Sequence, residues 1–186
     1  MNTYKFSTLV IITLFSSLFI ACSSDDDAPV PVNEEELITT VTVTLTPTGG
    51  GTAITLESSD LDGDGPNDPV ITVSGDLAAM TTYNGAVVLL NETVTPADNI
   101  TSEVQAEAEE HQFFYTTNAS LDLTTSNYDL DANMNPLGIT FDLTTGAAST
   151  GTFTVTLRHE PTKPNTGLAD AGGETDISST FTVTVQ

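Results

Sequence analysis

The chain has 186 residues, of which 26 are acidic and 3 are basic, so its formal net charge at pH 7 is −23. A surface this acidic repels phosphate groups, which excludes nucleic acids and anionic lipid headgroups as surface ligands and favours cations or basic partners. Cys22 is the only cysteine and tryptophan is absent, so the fold is expected to form without an internal disulfide.

The first 21 residues have the pattern of a cleaved secretory signal. Lys5 precedes a mostly apolar run over 6–20, which is too short to span a bilayer and is followed at once by polar and acidic residues. The segment Leu18-Phe19-Ile20-Ala21-Cys22 resembles a bacterial lipobox, which implies that Cys22 is the lipid attachment site. Lys5 is the only charged residue before Cys22, so cleavage changes the formal charge from −23 to −24.

Residues 22–35 are predicted to be an acidic, proline-containing tether that precedes a folded domain over 36–186. The run Asp25-Asp26-Asp27 resembles the export signal that Bacteroidota place after an acylated cysteine. That resemblance implies an outer-membrane, lipid-anchored protein that faces the cell exterior. Each buried methylene of a lipid chain contributes about 0.8 kcal/mol, so several chains hold a protein stably without a membrane span.

Beyond residue 37 the sequence predicts strands. Apolar residues alternate with threonine, as at Val41, Val43 and Leu45, and turns rich in Gly, Pro, Asn and Asp separate the runs. The predicted strands cover 40–46, 52–57, 70–74, 85–92, 112–117, 119–124, 138–144, 152–159 and 180–186. Strand 85–92 is expected to be buried on both faces, because Val87-Val88-Leu89-Leu90 is continuously apolar.

About eight or nine such strands without a long helix predict an all-β fold, a single antiparallel β-sandwich that is immunoglobulin-like with Greek-key connections. The segment 97–110 is compatible with two structures. Ile100, Val104 and Ala108 recur every four residues, as in a helix, whereas Val104, Ala106 and Ala108 alternate, as in a strand.

The first candidate site is an acidic loop. Asp60, Asp62, Asp64 and Asp68 occupy relative positions 1, 3, 5 and 9, and Gly65 stands at position 6. This spacing resembles the calcium loops of EF-hands and of thrombospondin type 3 repeats, in which carboxylate oxygens surround the ion. Position 12 is Ile71 instead of a bidentate Glu, so a calcium site here would be weak. The alternative is an acidic, glycine-containing turn.

The second candidate site involves the two histidines of the chain. His111 follows Glu110 and His159 precedes Glu160, and both histidines stand at predicted strand ends. If these ends converge, the two imidazoles and neighbouring carboxylates would suit a transition metal such as zinc. The alternative is two separate surface histidines.

Nothing in the sequence indicates catalysis. The chain contains no GxSxG, HExxH or phosphate-binding glycine motif, and it lacks the tryptophans with which sugar-cleaving enzymes stack their substrates. We therefore expect a protein that binds and does not catalyse.

Three later motifs carry a resemblance that covers most of the chain. They are Glu109-Glu110-His111-Gln112-Phe113-Phe114-Tyr115, Leu157-Arg158-His159-Glu160-Pro161 and Gly172-Gly173-Glu174-Thr175-Asp176-Ile177. Together with the anchor they resemble small flavobacterial outer-membrane lipoproteins, some of which carry the label "type 1 periplasmic binding fold". That label implies two α/β lobes, whereas the strand pattern predicts the sandwich.

This resemblance and the anchor lead to one expected function and one alternative. The first is a surface-exposed envelope protein that binds a ligand, metal ion or partner protein beside an outer-membrane transporter. The alternative is a structural or adhesive envelope module in which calcium stiffens a loop.

Overall fold

Two antiparallel β-sheets pack against each other in the computed structural model, which describes residues 36–63 and 65–186. All of these residues belong to the second of two units in the chain, Glu35–Gln186. In chain order the elements are β1 (Thr40–Pro47), β2 (Ile54–Ser59), β3 (Val70–Val73), β4 (Thr82–Asn91), β5 (Asp98–Asn99), α1 (Ile100–Ala106), β6 (His111–Thr117), β7 (Leu123–Ser126), β8 (Thr140–Thr145), β9 (Ser149–His159) and β10 (Glu174–Val185).

The larger sheet contains a Greek key. Its strand order is β3-β2-β1-β4-β8-β7, with the two-residue β5 paired to β4. Strands β1, β2 and β3 form a meander, and β4 returns to lie beside β1, which is the order that defines a Greek key. The smaller sheet has the order β10-β9-β6.

The core lies between the sheets and is built from alternate residues of their strands. Val41, Val43 and Leu45 of β1 are at most 2% exposed, and they pack in one cluster with Phe153, Val155 and Leu157 of β9 and with residues of β4, β6, β8 and β10. Burying such side chains gives about 1.5–3 kcal/mol each, which is the main stabilisation available without a disulfide.

Threonine covers much of the outward faces of the sheets. Hydroxyl groups on neighbouring strands bond in pairs, as in Thr154–Thr180 at 2.8 Å and Thr82–Thr144 at 3.2 Å. Such cross-strand pairs add a few tenths of a kcal/mol each. They also let a β-surface be polar without lysine or arginine.

The segment 97–110 forms a helix over Ile100–Ala106, so the four-residue apolar spacing predicted its structure and the alternation did not. Ile100 and Val104 are buried, and the Thr101 hydroxyl accepts a hydrogen bond from the backbone N–H of Leu89 at 2.7 Å. The helix therefore packs on β4 of the larger sheet. Within the described residues, no helix has both the length and the apolar character that crossing a bilayer requires.

The predicted all-β sandwich and its Greek-key connection are confirmed. The expectation that residues 85–92 are buried on both faces is wrong, because β4 alternates and Val88 is 40% exposed. An antiparallel sheet can leave one face to solvent even where the sequence is continuously apolar. The predicted signal, lipid attachment at Cys22 and tether all lie outside the described residues.

Candidate metal centre

The pairing of β6 with β9 places the two histidines directly opposite each other. Their rings are 4.5 Å apart between centroids, and the ring planes are tilted by 34°. Side chains alternate along a strand, so His159 shares the core-facing side of β9 with Leu157 and Val155. His111 and His159 are 0% and 3% exposed. The two strand ends thus converge, which is the condition for a shared metal site.

A β-bulge brings a carboxylate to the same place. Strand β10 pairs with β9 through Glu174–His159 and Thr175–Arg158, and the register then shifts so that Ile177 faces Leu157. The extra residue in this irregularity is Asp176. Bulges redirect side chains, and the Asp176 side chain is 1% exposed.

The fourth member is Glu36, in the segment that leads into β1. Its carboxylate lies beside His111, which is 75 residues away along the chain, and its side chain is 8% exposed. Three elements of the small sheet and one segment ahead of the large sheet thus supply the four side chains. We call Glu36, His111, His159 and Asp176 the four-residue centre.

The distances within the four-residue centre suit a small metal ion. One ligand atom from each residue can be chosen so that all four lie within 4.8 Å of one another. Nε2 of His111 lies 3.2 Å from Oε1 of Glu36 and 3.8 Å from Oδ2 of Asp176, and Nδ1 of His159 lies 3.7 Å from Oδ1 of Asp176. In a tetrahedral zinc site with bonds of about 2.1 Å, ligand atoms are about 3.4 Å apart.

The second nitrogen of His111 is oriented as in metal-binding histidines. Nδ1 lies 3.2 Å from the carbonyl oxygen of Glu107, and because a carbonyl only accepts hydrogen bonds, Nδ1 carries the proton. The ring is thus fixed with Nε2 directed at the carboxylates. Histidine ligands of metals are usually held by such an outer hydrogen bond.

Because the four-residue centre is buried, the negative charge of its two carboxylates must be compensated inside the site. Two carboxylates in a site of 8% or less side-chain exposure need compensating positive charge. Two chemical states supply it. Either the imidazoles are protonated and pair with the carboxylates, or a divalent ion sits between neutral imidazoles and the two carboxylates.

A buried lysine supports the His111 strand from outside the four-residue centre. Nζ of Lys163 donates to the carbonyl oxygens of Ala108 and His111, at 2.7 and 2.5 Å, and pairs with Asp131 at 3.1 Å. The side chains of Lys163 and Asp131 are 6% and 0% exposed. Burial acts to raise the pKa of Asp131, but the N–H of Asn135, the Lys163 ammonium and the N–H of Asn133 together outweigh it and lower that pKa.

The predicted carboxylate neighbours are not the ones that the structure brings in. Glu110 and Glu160 are exposed, and the carboxylates that meet the histidines are those of Glu36 and Asp176. Both acids lie one residue beyond the strand that carries the neighbouring histidine, Glu110 in a turn and Glu160 at a bend with a φ of 47°, and the chain there leaves their side chains at the surface. Asp176 lies in one of the motifs singled out above, but its role depends on a bulge, and no pattern in the sequence indicates Glu36.

The described residues of the predicted calcium loop lie mostly at the surface. Asp62 and Asp68 are exposed, Asp60 is half-buried, and Asp64 lies outside the described residues. The Asp62 carboxylate accepts a hydrogen bond from the side-chain amide of Asn67 at 2.6 Å. Among the described residues, Asp60, Asp62 and Asp68 do not form a cluster with metal-binding distances.

An acidic cavity of about 430 Å³ borders the segment that leads into His111. Its lining includes Glu107, Glu109, Glu110, Asp129 and Asp131. A concave surface lined by one sign of charge raises the local concentration of counter-ions, which here are cations.

Comparison with known proteins adds no assignment for this site. No protein family matches the chain, and neither a curated protein nor a solved structure matches it.

Proposed function

We propose that the protein is a lipid-anchored module of the cell envelope that binds a divalent transition-metal ion, zinc in the first place, at the four-residue centre. The observation that carries the proposal is the buried meeting of His111, His159, Glu36 and Asp176. The envelope location rests on the lipobox-like segment at Cys22.

The ligand set favours zinc over calcium at the four-residue centre. Calcium takes six to eight oxygen ligands, whereas this centre offers two imidazoles and two carboxylates. Imidazole and carboxylate together suit zinc, and two carboxylates balance the charge of a divalent ion. An ion also removes the need to protonate two imidazoles whose centroids are 4.5 Å apart.

We infer a binding role without catalysis from the number of protein ligands. Catalytic zinc sites usually have three protein ligands and a water, whereas structural sites are closed by four. Four side chains are available here, and their low exposure favours the closed form. A partnership with an outer-membrane transporter is part of the proposal and rests on the resemblance to envelope lipoproteins.

Zinc titration of the mature protein in detergent micelles, by calorimetry after a chelator wash, tests the metal proposal. We expect one zinc ion per chain. His111→Ala and His159→Ala should each weaken binding by more than the roughly 10- to 100-fold that loss of an outer-shell partner costs. Glu110→Ala and Glu160→Ala are matched controls, because these exposed acids flank the same histidines, and both should bind as the wild type does.

Circular dichroism identifies any variant that fails to fold. Absence of zinc binding by the folded wild-type protein would overturn the proposal. So would unchanged affinity in a folded variant that lacks both histidines, since the ion would then be bound elsewhere.

The calcium loop remains a second, separate prediction, tied to the alternative role as an adhesive or structural envelope module. We expect calcium to bind with a dissociation constant of about 10⁻⁴–10⁻³ M, as in extracellular modules, and Asp62→Ala with Asp64→Ala to remove this binding while zinc binding persists. If a calorimetric titration shows no heat of calcium binding, or shows the same heat after both substitutions, the loop is not a calcium site.

A further inference from the structure

The four ligands of the proposed centre come from the smaller sheet and from the segment that leads into the larger sheet. Glu36 precedes Thr40, the first residue of β1 in the larger sheet, by four positions. His111, His159 and Asp176 belong to β6, β9 and β10, which together make the smaller sheet. An ion bound by all four therefore bridges the lead-in to one sheet and the end of the other.

We propose that the ion acts as a cross-link between the two sheets, which fastens the segment 36–39 onto the smaller sheet. This inference rests on the proposed metal binding and adds its structural role. The ion is then a permanent part of the fold, and its loss frees the start of β1.

The segment 36–39 is held on one side by the larger sheet. The N–H of Thr39 donates to the carbonyl oxygen of Leu90 at 2.9 Å, and the Thr39 hydroxyl accepts from the N–H of Glu92 at 2.9 Å. Ile38 is 9% exposed, whereas Leu37 is 54% exposed and adds little packing. Ahead of Ile38, the Glu36 carboxylate links this segment to the smaller sheet through its contact with His111 at 3.2 Å.

The centre also reaches the larger sheet through the end of α1. Glu107 is the C-cap residue of α1 and accepts a hydrogen bond from His111 Nδ1, and α1 packs on β4 through Thr101. A metal that holds the His111 ring therefore stabilises the packing of β6 against α1 and, through α1, against β4.

Chain connectivity explains why such a cross-link is useful. Many secreted sandwiches join their sheets by a disulfide, but Cys22 is the only cysteine of this chain. An ion bound only by the folded chain stabilises it through the binding free energy, and here the bound ion would join residues 75 apart in the sequence. Two imidazoles and two carboxylates can provide this bridge through an ion without any thiol.

Hydrogen exchange on the mature protein in detergent micelles, with and without zinc, tests the cross-link. In the wild-type protein we expect zinc to slow exchange of the amides of 37–39 and of 174–177 by at least about tenfold, since a ligand that binds the closed form suppresses local opening. In Glu36→Ala we expect weaker zinc binding, with slowing kept at 174–177 and lost at 37–39. Glu110→Ala is the control and should behave as the wild type.

The outcomes separate the two proposals. Zinc binding with no slowing at 37–39 in the wild-type protein overturns the cross-link and leaves the metal site standing. Unchanged zinc-dependent slowing at 37–39 in Glu36→Ala also overturns it. A folded wild-type protein that binds no zinc overturns the metal function itself.

Discussion

At the scale of single residues, the Lys163–Asp131 pair holds the backbone of His111, and so supports the candidate site without belonging to it. One ammonium group satisfies two backbone carbonyls, one of them that of His111, and is itself neutralised by a carboxylate. Removing one member of a buried pair is costly because the other charge is left uncompensated.

We therefore predict that Asp131→Asn destabilises the protein by roughly 3 kcal/mol at pH 7, because it removes the charge that balances Lys163. The folded-state pKa of Asp131 is lowered, so its contribution to stability is fully present above the unfolded-state value of about 3.9. That contribution is lost as the pH falls through the folded-state pKa. Urea unfolding at pH values from 7 down to 3 should show the gap between wild type and variant shrinking.

Asp170→Asn provides the comparison. The pKa of Asp170 is also lowered, chiefly by the hydrogen bond from the Thr166 hydroxyl and then by the Thr166 N–H, but this carboxylate is solvent-exposed. It should affect stability much less than Asp131→Asn. A gap between wild type and Asp131→Asn that stays constant down to pH 3 would contradict the assignment to Asp131.

The residue scale is also where prediction from sequence was weakest. The sequence shows that His111 and His159 stand at strand ends, and the structure brings them together. The partner acids could not be predicted, because Glu36 depends on a contact across 75 residues and Asp176 on a bulge. Sequence proximity favoured Glu110 and Glu160, which lie just beyond the strands, in a turn and a bend, and are exposed.

At the scale of elements, the connection between β9 and β10 positions half of the four-residue centre. Gly172 and Gly173 both have positive φ, at 63° and 68°. A Cβ on Gly173 would lie 2.1 Å from the carbonyl oxygen of His159, whereas one on Gly172 would meet nothing closer than 3.9 Å. The approach of the chain to His159 therefore requires glycine at 173 in particular.

We predict that Gly172→Ala costs about 1–2 kcal/mol, the penalty of a left-handed conformation for an L-residue. Gly173→Ala should cost clearly more, because the backbone must move away from His159, and it should also weaken zinc binding through the displaced Asp176. Thermal unfolding and zinc titration of the two variants measure both effects. Equal losses in the two variants would show that the clash at 173 relaxes without moving the bulge.

Regular elements were predictable to the extent that one face is buried and the other is not. The alternation at Val41, Val43 and Leu45 predicted β1, and the spacing of Ile100 and Val104 predicted the side of α1 that packs. For β4 the continuous apolar run predicted burial on both faces, but one face of this strand is open to solvent at Val88. No sequence pattern predicts the bulge in β10, because it arises from the register in which β10 pairs with β9.

At the scale of the whole molecule, charge is the dominant property. From Cys22 onward the chain carries 26 acidic and 2 basic residues, and both basic side chains are committed to internal hydrogen bonds. Like charges repel across the surface, and this repulsion destabilises the compact state.

We predict that sodium chloride raises the melting temperature when its concentration increases from about 10 mM to about 150 mM, because the screening length falls from roughly 30 Å to roughly 8 Å. Thermal unfolding by circular dichroism, in chelator to exclude trace metals, measures this. A replacement of five exposed acids by their amides should reduce the salt effect. A melting temperature that falls with added salt would mean that surface repulsion does not limit stability.

The positions of Arg158 and Lys163 have a consequence for resistance to proteolysis. The Arg158 guanidinium, on β9, donates to the carbonyl oxygens of Gly172 and Gly173 and to the Thr175 hydroxyl, and Lys163 is almost fully buried and followed by Pro164. Proteases that cut after basic residues need an accessible side chain on a segment that can open. From Cys22 onward these are the only two basic residues of the sequence, so the folded protein should resist digestion by trypsin-like enzymes.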